Sequence, residues 1–382
     1  MKIGIDISQT AFKGTGVARY MTSLVKALIE YDTKNEYVFF YSSLRTPIDP
    51  KLQSLIRKPH VLKSYRIPPT LLSFLWNTLH IAPIEKFVGN VDIFMTSDWT
   101  EPPAQSAIKI TTIHDMIVYT HQHTTTQSTS VKLSHLRISA NIAATQRRRH
   151  RHIVHESAGI FVDSLHTAHD VKKYLHINDE RIHLLYPPFE VASHAAQWKT
   201  VAKKYAISRP YILTVGKLEP RKNIPALVDA FGAARLNNTQ LLVVGSTGWG
   251  ENMQHLSHDS VKFLGYVSDE ELAALYTHAL CFVFPSLYEG FGYPLIEAMA
   301  HKCPIATSRT SSLTEIAQNA ALLFDPKSTA DMSSAIIRLA SNQKLRTSLI
   351  KKGSARYKDF SPEIFAKNFV RIVSSIYNDH RN

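Results

Sequence analysis

The sequence predicts an α/β protein made of two doubly wound parallel sheets. Three observations predict it. Short apolar runs alternate with stretches of helical periodicity along the whole chain, which is the pattern of βαβ units. The plan starts afresh near residue 211 and repeats. The 382 residues also exceed what one hydrophobic core usually organises, so two domains of roughly 150–200 residues are expected, and an apolar fraction of 44% supplies core for both.

In the first half, residues 3–7 read as a strand. A loop Gly14-Thr15-Gly16 leads to a helix whose apolar positions Val17, Met21, Leu24, Val25 and Leu28 share one face. Strands follow at 37–41, 91–96 and 109–113, a helix at 141–155, a strand at 159–163, a helix at 164–174 and a strand at 181–186 ending at Pro187-Pro188. In the second half, strands are expected at 211–216, 240–245, 261–264, 280–284 and 304–307. Helices are expected at 225–231, 269–278, from Pro294 onward and at 313–319. A linker at 190–209 separates the halves, and two such sheets imply a cleft where ligands meet the carboxyl ends of the strands. A last helix, 362–377, has apolar Ile364, Phe365, Phe369, Ile372, Val373 and Ile376 and must pack on something. The expected domains are 1–192, 193–361 and the helix 362–382.

Composition bounds the function. The two cysteines, Cys281 and Cys303, suggest neither a disulfide framework nor zinc, which fits a reducing cytoplasm. Met1-Lys2 leads straight into a strand, so no signal peptide is expected, and no run of about 18 apolar residues predicts a transmembrane helix. The net charge of +13 gathers in the first half, at Lys51, Arg57, Lys58, Lys63 and Arg66 and at Arg147, Arg148, Arg149 and Arg151. No nucleic-acid recognition module accompanies it. An anionic membrane surface is the favoured partner, with residues 71–76 (Leu-Leu-Ser-Phe-Leu-Trp) as an apolar face; a core helix is the competing reading of that segment. The 19 histidines, including His121 with His123 and His150 with His152 and His155, lack carboxylates or cysteines at ligand spacing, so no metal site is expected.

The densest signal runs from Phe284 to Ala300. A strand enters a loop holding Glu289, Gly290 and Gly292, and a helix opens at Tyr293-Pro294 and carries Glu297. Proline suits the first helical position because its missing N–H had no intrahelical partner there. A helix N-terminus favours an anion such as phosphate. Two carboxylates beside such a site suit a ligand that also carries hydroxyls, as a sugar nucleotide does. The second signal follows the strand 211–216: Gly216-Lys217-Leu218-Glu219-Pro220-Arg221-Lys222-Asn223, with Asn223 read as a helix N-cap and the two cations suited to a diphosphate leaving group. Gly14 and Gly16 before a helix can cradle phosphate or mark a tight turn. His114, at the end of the strand 109–113, can hydrogen-bond a sugar hydroxyl. Ser312-Leu313-Thr314-Glu315 has capping-box spacing. No Asp-x-Asp stands in a loop after a strand, so a metal-bridged diphosphate is not expected.

The stretch Glu289-Gly-Phe-Gly-Tyr-Pro-Leu-Ile-Glu297 resembles the Glu-x7-Glu signature of the retaining glycosyltransferases of family 4, and the segment Gly216 to Asn223 resembles that family's phosphate-binding segment. The resemblance implies a GT-B fold, two Rossmann-like domains facing each other across a cleft, with the last helix returning to the first domain. It implies that Arg221 and Lys222 bind the diphosphate, Glu289 and His114 the donor sugar, and Glu297 the ribose. Backbone N–H groups from Phe291 through Gly292 and Tyr293 to Leu295 would meet sugar or phosphate, with Gly14, Gly16 and Gly216 lining the site. No metal or other cofactor is implied. Leu185-Tyr-Pro-Pro188 and the segment from Gly265 to Leu272 are similar to bacterial mannosyltransferases of surface-polysaccharide assembly, which points to GDP-mannose or a related donor and a glycan or lipid-linked acceptor in lipopolysaccharide biosynthesis. A peripheral place at the inner face of the cell membrane goes with that. The chain departs from the family at His301-Lys302-Cys303, where Lys302 must accept a left-handed helix cap. A sugar-nucleotide epimerase of the same fold and a basic nucleic-acid-binding protein are the alternatives.

Overall fold

The computed structural model describes residues 1–96, 98–120, 133–191, 195–246, 256–257 and 259–381, with backbone alone at 133–141. His121 and His123 lie outside the described residues, as does part of the expected linker. The chain forms two compact units: Met1–Phe189 with Ser361–Asn382, and Glu190–Phe360.

Unit 1 is built on a seven-stranded, all-parallel sheet: β1 (Lys2–Asp6), β2 (Glu36–Ser42), β3 (Val61–Tyr65), β4 (Ile93–Thr96), β5 (Ile108–Ile113), β6 (Ser157–Val162) and β7 (Ile182–Leu184). Their spatial order is β3-β2-β1-β4-β5-β6-β7. The order reverses between β1 and β4, the switch point of a doubly wound sheet. Strands β1, β2 and β4 are buried along nearly their whole length, because helices cover both faces of a parallel sheet and leave no position for water. Trp76, Phe40 and Phe94 fill the core beneath one edge, and Ile113, Ile160 and Val171 anchor another cluster.

The helix Pro362–Asp379 belongs to this unit although it ends the chain. It packs along the helix Gly16–Tyr31. Phe369 stacks on Phe161 with ring centroids 5.6 Å apart, and Phe365, Val373 and Ile376 are buried beside it. Of the apolar positions assigned to its buried face, Ile364 is the exception and faces solvent.

Unit 2 repeats the plan with β8 (Tyr211–Val215), β9 (Gln240–Val244), β10 (Val261–Gly265), β11 (Cys281–Phe284), β12 (Ile305–Ser308) and β13 (Ala321–Phe324), all parallel, in the order β10-β9-β8-β11-β12-β13. Its switch point lies between β8 and β11. One core joins Ile212, Leu241, Val283 and Ala306 of the sheet to Leu227, Phe231, Met332 and Ile336 of the helices over it.

Several sequence expectations change. The segment 71–76 is neither wholly core nor wholly an apolar surface. Leu72 and Trp76, four residues apart, are buried, whereas Leu71, Phe74, Leu79 and Ile81 are exposed, so the segment, Pro69–Ser73 followed by a π-helical turn Phe74–Thr78, buries one face only. Arg149 does not join its basic neighbours on the surface. It is fully buried, donates to Thr111 Oγ1 at 2.6 Å and to the Thr112 carbonyl at 3.0 Å, and has the Glu101 carboxylate 3.8 Å away.

Phe369→Ala should cost unit 1 about 3–5 kcal/mol, the usual loss for a truncated buried Phe. Urea unfolding of the full chain followed by separate probes for the two units tests it. An unchanged unit 1 transition would mean that the last helix does not hold this unit together.

Candidate active site

Two loops leave adjacent strands at the switch point of unit 2. The first leaves β8. Its turn is permitted by a backbone approach so close that a Cβ on Gly245 would lie 1.9 Å from the Gly216 carbonyl oxygen. Pro220–Lys222 then forms one 3-10 turn before the helix Ile224–Ala234. Asn223 is not the expected side-chain cap: it takes a left-handed conformation (φ +58°), and its amide donates to the Pro326 carbonyl at 2.8 Å. The second loop leaves β11 and carries Glu289. Leu287 N–H donates to the Arg221 carbonyl at 2.8 Å, which ties the two loops together.

Three charged side chains meet there. Glu289 Oε1 accepts from Lys222 Nζ at 2.5 Å, and its Oε2 accepts from Arg221 Nη1 at 2.7 Å. Arg221 also donates to Glu219 Oε2 at 3.0 Å and to the Tyr288 carbonyl at 3.2 Å. Lys222 is only 8% exposed, and its ammonium lies 5.0 Å over the Phe284 ring. Burial opposes charge on Glu289, but Arg221 and Lys222 outweigh it and pull the carboxyl down to about 2. Burial pulls the Lys222 ammonium below its ordinary value, with Glu289 opposing the shift.

Beyond Glu289, the loop carbonyls are pinned by Ser312, whose hydroxyl donates to Glu289 O at 3.0 Å and Phe291 O at 2.8 Å, while Glu289 N–H donates to Ser311 Oγ at 3.0 Å. Ser312 therefore is not the side-chain cap its spacing suggested; no such capping bond forms. Gly292, at φ +109°, precedes the helix Tyr293–Ala300. Phe291 is buried between Tyr293 and Phe360. Leu295 does not offer the N–H expected of it, since that group donates to the Gly292 carbonyl at 2.9 Å, and Pro294 has none. Glu297 is buried and accepts from the Tyr276 hydroxyl at 2.9 Å. Lys302 does take the left-handed conformation, at φ +55°.

In unit 1, His114 follows β5, and Asp163 follows the neighbouring β6, so the parallel register sets them side by side. Asp163 Oδ2 lies 2.6 Å from His114 Nδ1, and the Tyr20 ring packs edge-on to the imidazole. Burial disfavours a charged His114, but Asp163 outweighs it and leaves the imidazole raised above its ordinary value. Gly14 is left-handed (φ +79°), and Gly16 opens its helix behind Thr15, whose hydroxyl caps Ala18 N–H at 3.2 Å. Thr15 is thus an ordinary N-cap.

Sequence reasoning missed Glu219, Tyr276, Ser312 and Asp163 as site partners. Asp163 was within reach, because it ends a strand next to the one that ends at His114. Tyr276 was not, because nothing in a helical periodicity tells which hydroxyl meets a carboxylate.

Residues 199–356 match the family model described as Glycosyl transferases group 1. This matched segment is similar to group 1 glycosyl transferases. It contains both loops of the unit 2 site. The chain is 34% identical over 178 residues to O-antigen chain mannosyltransferase B of Escherichia coli, covering 44% of this chain and 47% of that protein. It is 25% identical over 343 residues to O-antigen chain mannosyltransferase RfbU of Salmonella typhimurium, covering 87% and 89%. The chain spans about half or less of the length of the mannosyltransferases it matches first. Among solved structures it shares the GT-B fold of sucrose-phosphate synthase from Thermosynechococcus elongatus, with a TM-score of 0.72 and 19% identity over 99% of this chain and 100% of that one. That likeness concerns the fold alone.

The Glu289 pairing has a pH signature. The folded-state value lies below the ordinary 4.5, so the contribution is complete above about pH 5 and is lost as pH falls from 4.5 towards about 2. The urea stability of the wild-type protein should therefore exceed that of Glu289→Gln near neutrality, and the gap should narrow in acid. A gap that stays constant with pH would dismiss the ion pairs as its source.

Proposed function

We propose that the protein is a retaining hexosyltransferase that moves mannose from a nucleoside diphosphate sugar such as GDP-mannose to a glycan or lipid-linked acceptor in surface-polysaccharide assembly. The observation that carries this reading is the Arg221–Lys222–Glu289 cluster at the unit 2 switch point, inside the segment similar to group 1 glycosyl transferases. Two preorganised cations in a dry setting suit the charge that develops on a departing diphosphate. A carboxylate already held against them can exchange one cation contact for a sugar hydroxyl. Glu297, fixed by Tyr276, is assigned to the ribose, and His114, held by Asp163, to the donor sugar. Mannose and the polysaccharide pathway rest on the names of the O-antigen relatives. Retention rests on the Glu-x7-Glu resemblance; there the leaving phosphate takes the acceptor proton, so the reading requires no protein base.

Donor binding without a bridging cation belongs to the same reading, since Arg221 and Lys222 take that role. So does peripheral attachment at the inner membrane face. No helix among the described residues is long and apolar enough to cross a membrane. Exposed Leu71, Phe74, Leu79 and Ile81 follow exposed Lys63 and Arg66 in sequence, a combination suited to an anionic bilayer surface.

Lys222→Ala should lower transfer by two to three orders of magnitude, roughly the loss seen when a preorganised donor is removed. Near-normal turnover in a folded variant would withdraw the role. Transfer at 25 °C should continue in excess chelator; its abolition, with rescue by magnesium or manganese, would contradict cation-free donor binding. Sedimentation with anionic liposomes should weaken as salt rises past physiological strength, where the screening length is about 8 Å. Binding indifferent to both anionic lipid and salt would remove the membrane from the proposal.

A further inference from the structure

All the motifs used so far lie at the carboxyl ends of strands. A second cluster of ligating side chains lies at the opposite, amino end of β5 and β6 in unit 1. Glu156 immediately precedes β6, His152 stands one turn earlier on the helix Leu133–Glu156, and His80 follows the π-helical turn Phe74–Thr78. One ligand atom from each lies within 4.8 Å of the others. His80 Nε2 is 2.7 Å and His152 Nδ1 3.6 Å from the same oxygen, Glu156 Oε1. The sequence reading missed this grouping because it overlooked Glu156, four residues after His152, and because His80 comes from a distant segment.

Hydrogen bonds decide which of these atoms carry protons. His80 Nδ1 lies 2.8 Å from the Trp76 carbonyl, and His152 Nε2 lies 3.2 Å from the Asn77 carbonyl. A carbonyl only accepts, so the single proton of each neutral imidazole sits on that far nitrogen. The two near nitrogens then present lone pairs, and they face a carboxylate oxygen that also accepts. Three acceptors this close call for a cation among them.

We propose that His80, His152 and Glu156 bind one divalent cation of the zinc class. Two imidazoles and a carboxylate, with a fourth position open, form a recognised zinc donor set. Carbonyl bonds to the far ring nitrogens are the outer contacts that orient metal-bound histidines. A cavity of about 530 Å³ lined in part by His80, Lys109, Glu156 and His380 supplies an entry path. Two features oppose binding. The imidazoles are stacked, 4° from parallel with centroids 3.8 Å apart, so one ion cannot lie in both ring planes and one ring must turn out of the stack. Lys109 holds the other oxygen, Glu156 Oε2, at 2.7 Å, but Glu101, 2.9 Å from the same ammonium, offsets that charge and leaves Oε1 to the ion. A ring stack is weak beside metal–imidazole bonds, so the ion wins. Bound there, it would pin the 74–80 turn to the end of the long helix without touching the transfer motifs.

The test uses the full chain, stripped with chelator and then dialysed against zinc. The expected result is about one tightly held equivalent per chain, released as pH falls and the imidazoles protonate. His152→Ala and Glu156→Gln should each lose it, with transfer activity retained. Cobalt in place of zinc should give the visible absorption of a four-coordinate site in the wild-type chain, a readout that stands even where a variant fails to fold. Equal zinc retention by both variants, or no retention and no cobalt spectrum in the wild type, would overturn the proposal; the second outcome would leave a shared proton only.

Discussion

The Glu289 carboxylate bridging Arg221 and Lys222 is the constraint around which unit 2 is arranged. A buried carboxylate against a buried lysine and a half-buried arginine is favourable only if nearly every lone pair and proton is matched, because desolvation costs a buried ion several kcal/mol. The surrounding structure supplies those matches. Glu219 and the Tyr288 carbonyl take further Arg221 donors, and Phe284 offers its ring face to Lys222. The loops that carry these groups are joined by the bond from Leu287 N–H to the Arg221 carbonyl and held from behind by Ser311 and Ser312. An arrangement so costly to bury without function argues for use: cations already desolvated need no reorganisation when charge develops on a leaving group.

The topology explains why the cluster can exist. β8 and β11 are hydrogen-bonded neighbours at the switch point, so the loops at their carboxyl ends start side by side and bring Arg221, Lys222 and Glu289 together. The same rule places His114 and Asp163 after β5 and β6 in unit 1. Charge is handled differently there. A single histidine–carboxylate pair under the Tyr20 ring has burial working against both charges, and the raised His114 keeps its proton longer as pH rises.

Much of this was legible in the sequence. The alternation of strands and helices marks most strands of both sheets, and the two motif segments name Arg221, Lys222, Glu289 and Glu297. What escaped follows from what a sequence pattern encodes. Both missed strands are partly buried edge strands: β3, with Lys63, lacks the apolar run that marked its neighbours, and β13 is a short apolar run of four residues that went unrecognised. Sequence spacing could place Arg221 and Glu289 in one site but could not say that they touch, since a contact across 68 residues depends on strand order. Arg149 looked like one member of an arginine run, yet helical geometry turns it inward, away from Arg147, Arg148 and Arg151.

Strands β5 and β6 carry the argument one step further. At their carboxyl ends stand His114 and Asp163; at their amino ends stand Lys109, Glu156 and, through the preceding helix, His152. A parallel pair buried in the sheet is stiff along its length, and Arg149 secures β5 by reaching Thr111 and Thr112. Chemistry requires the carboxyl ends to be polar and reachable, which makes them the less stable ends of a sheet. Ionic groups at the amino ends can secure the strands where no substrate has to enter. Lys109 between Glu101 and Glu156 already does so without a metal, so the imidazoles of His80 and His152 add a second fastening at the end of the strands opposite to His114 and Asp163.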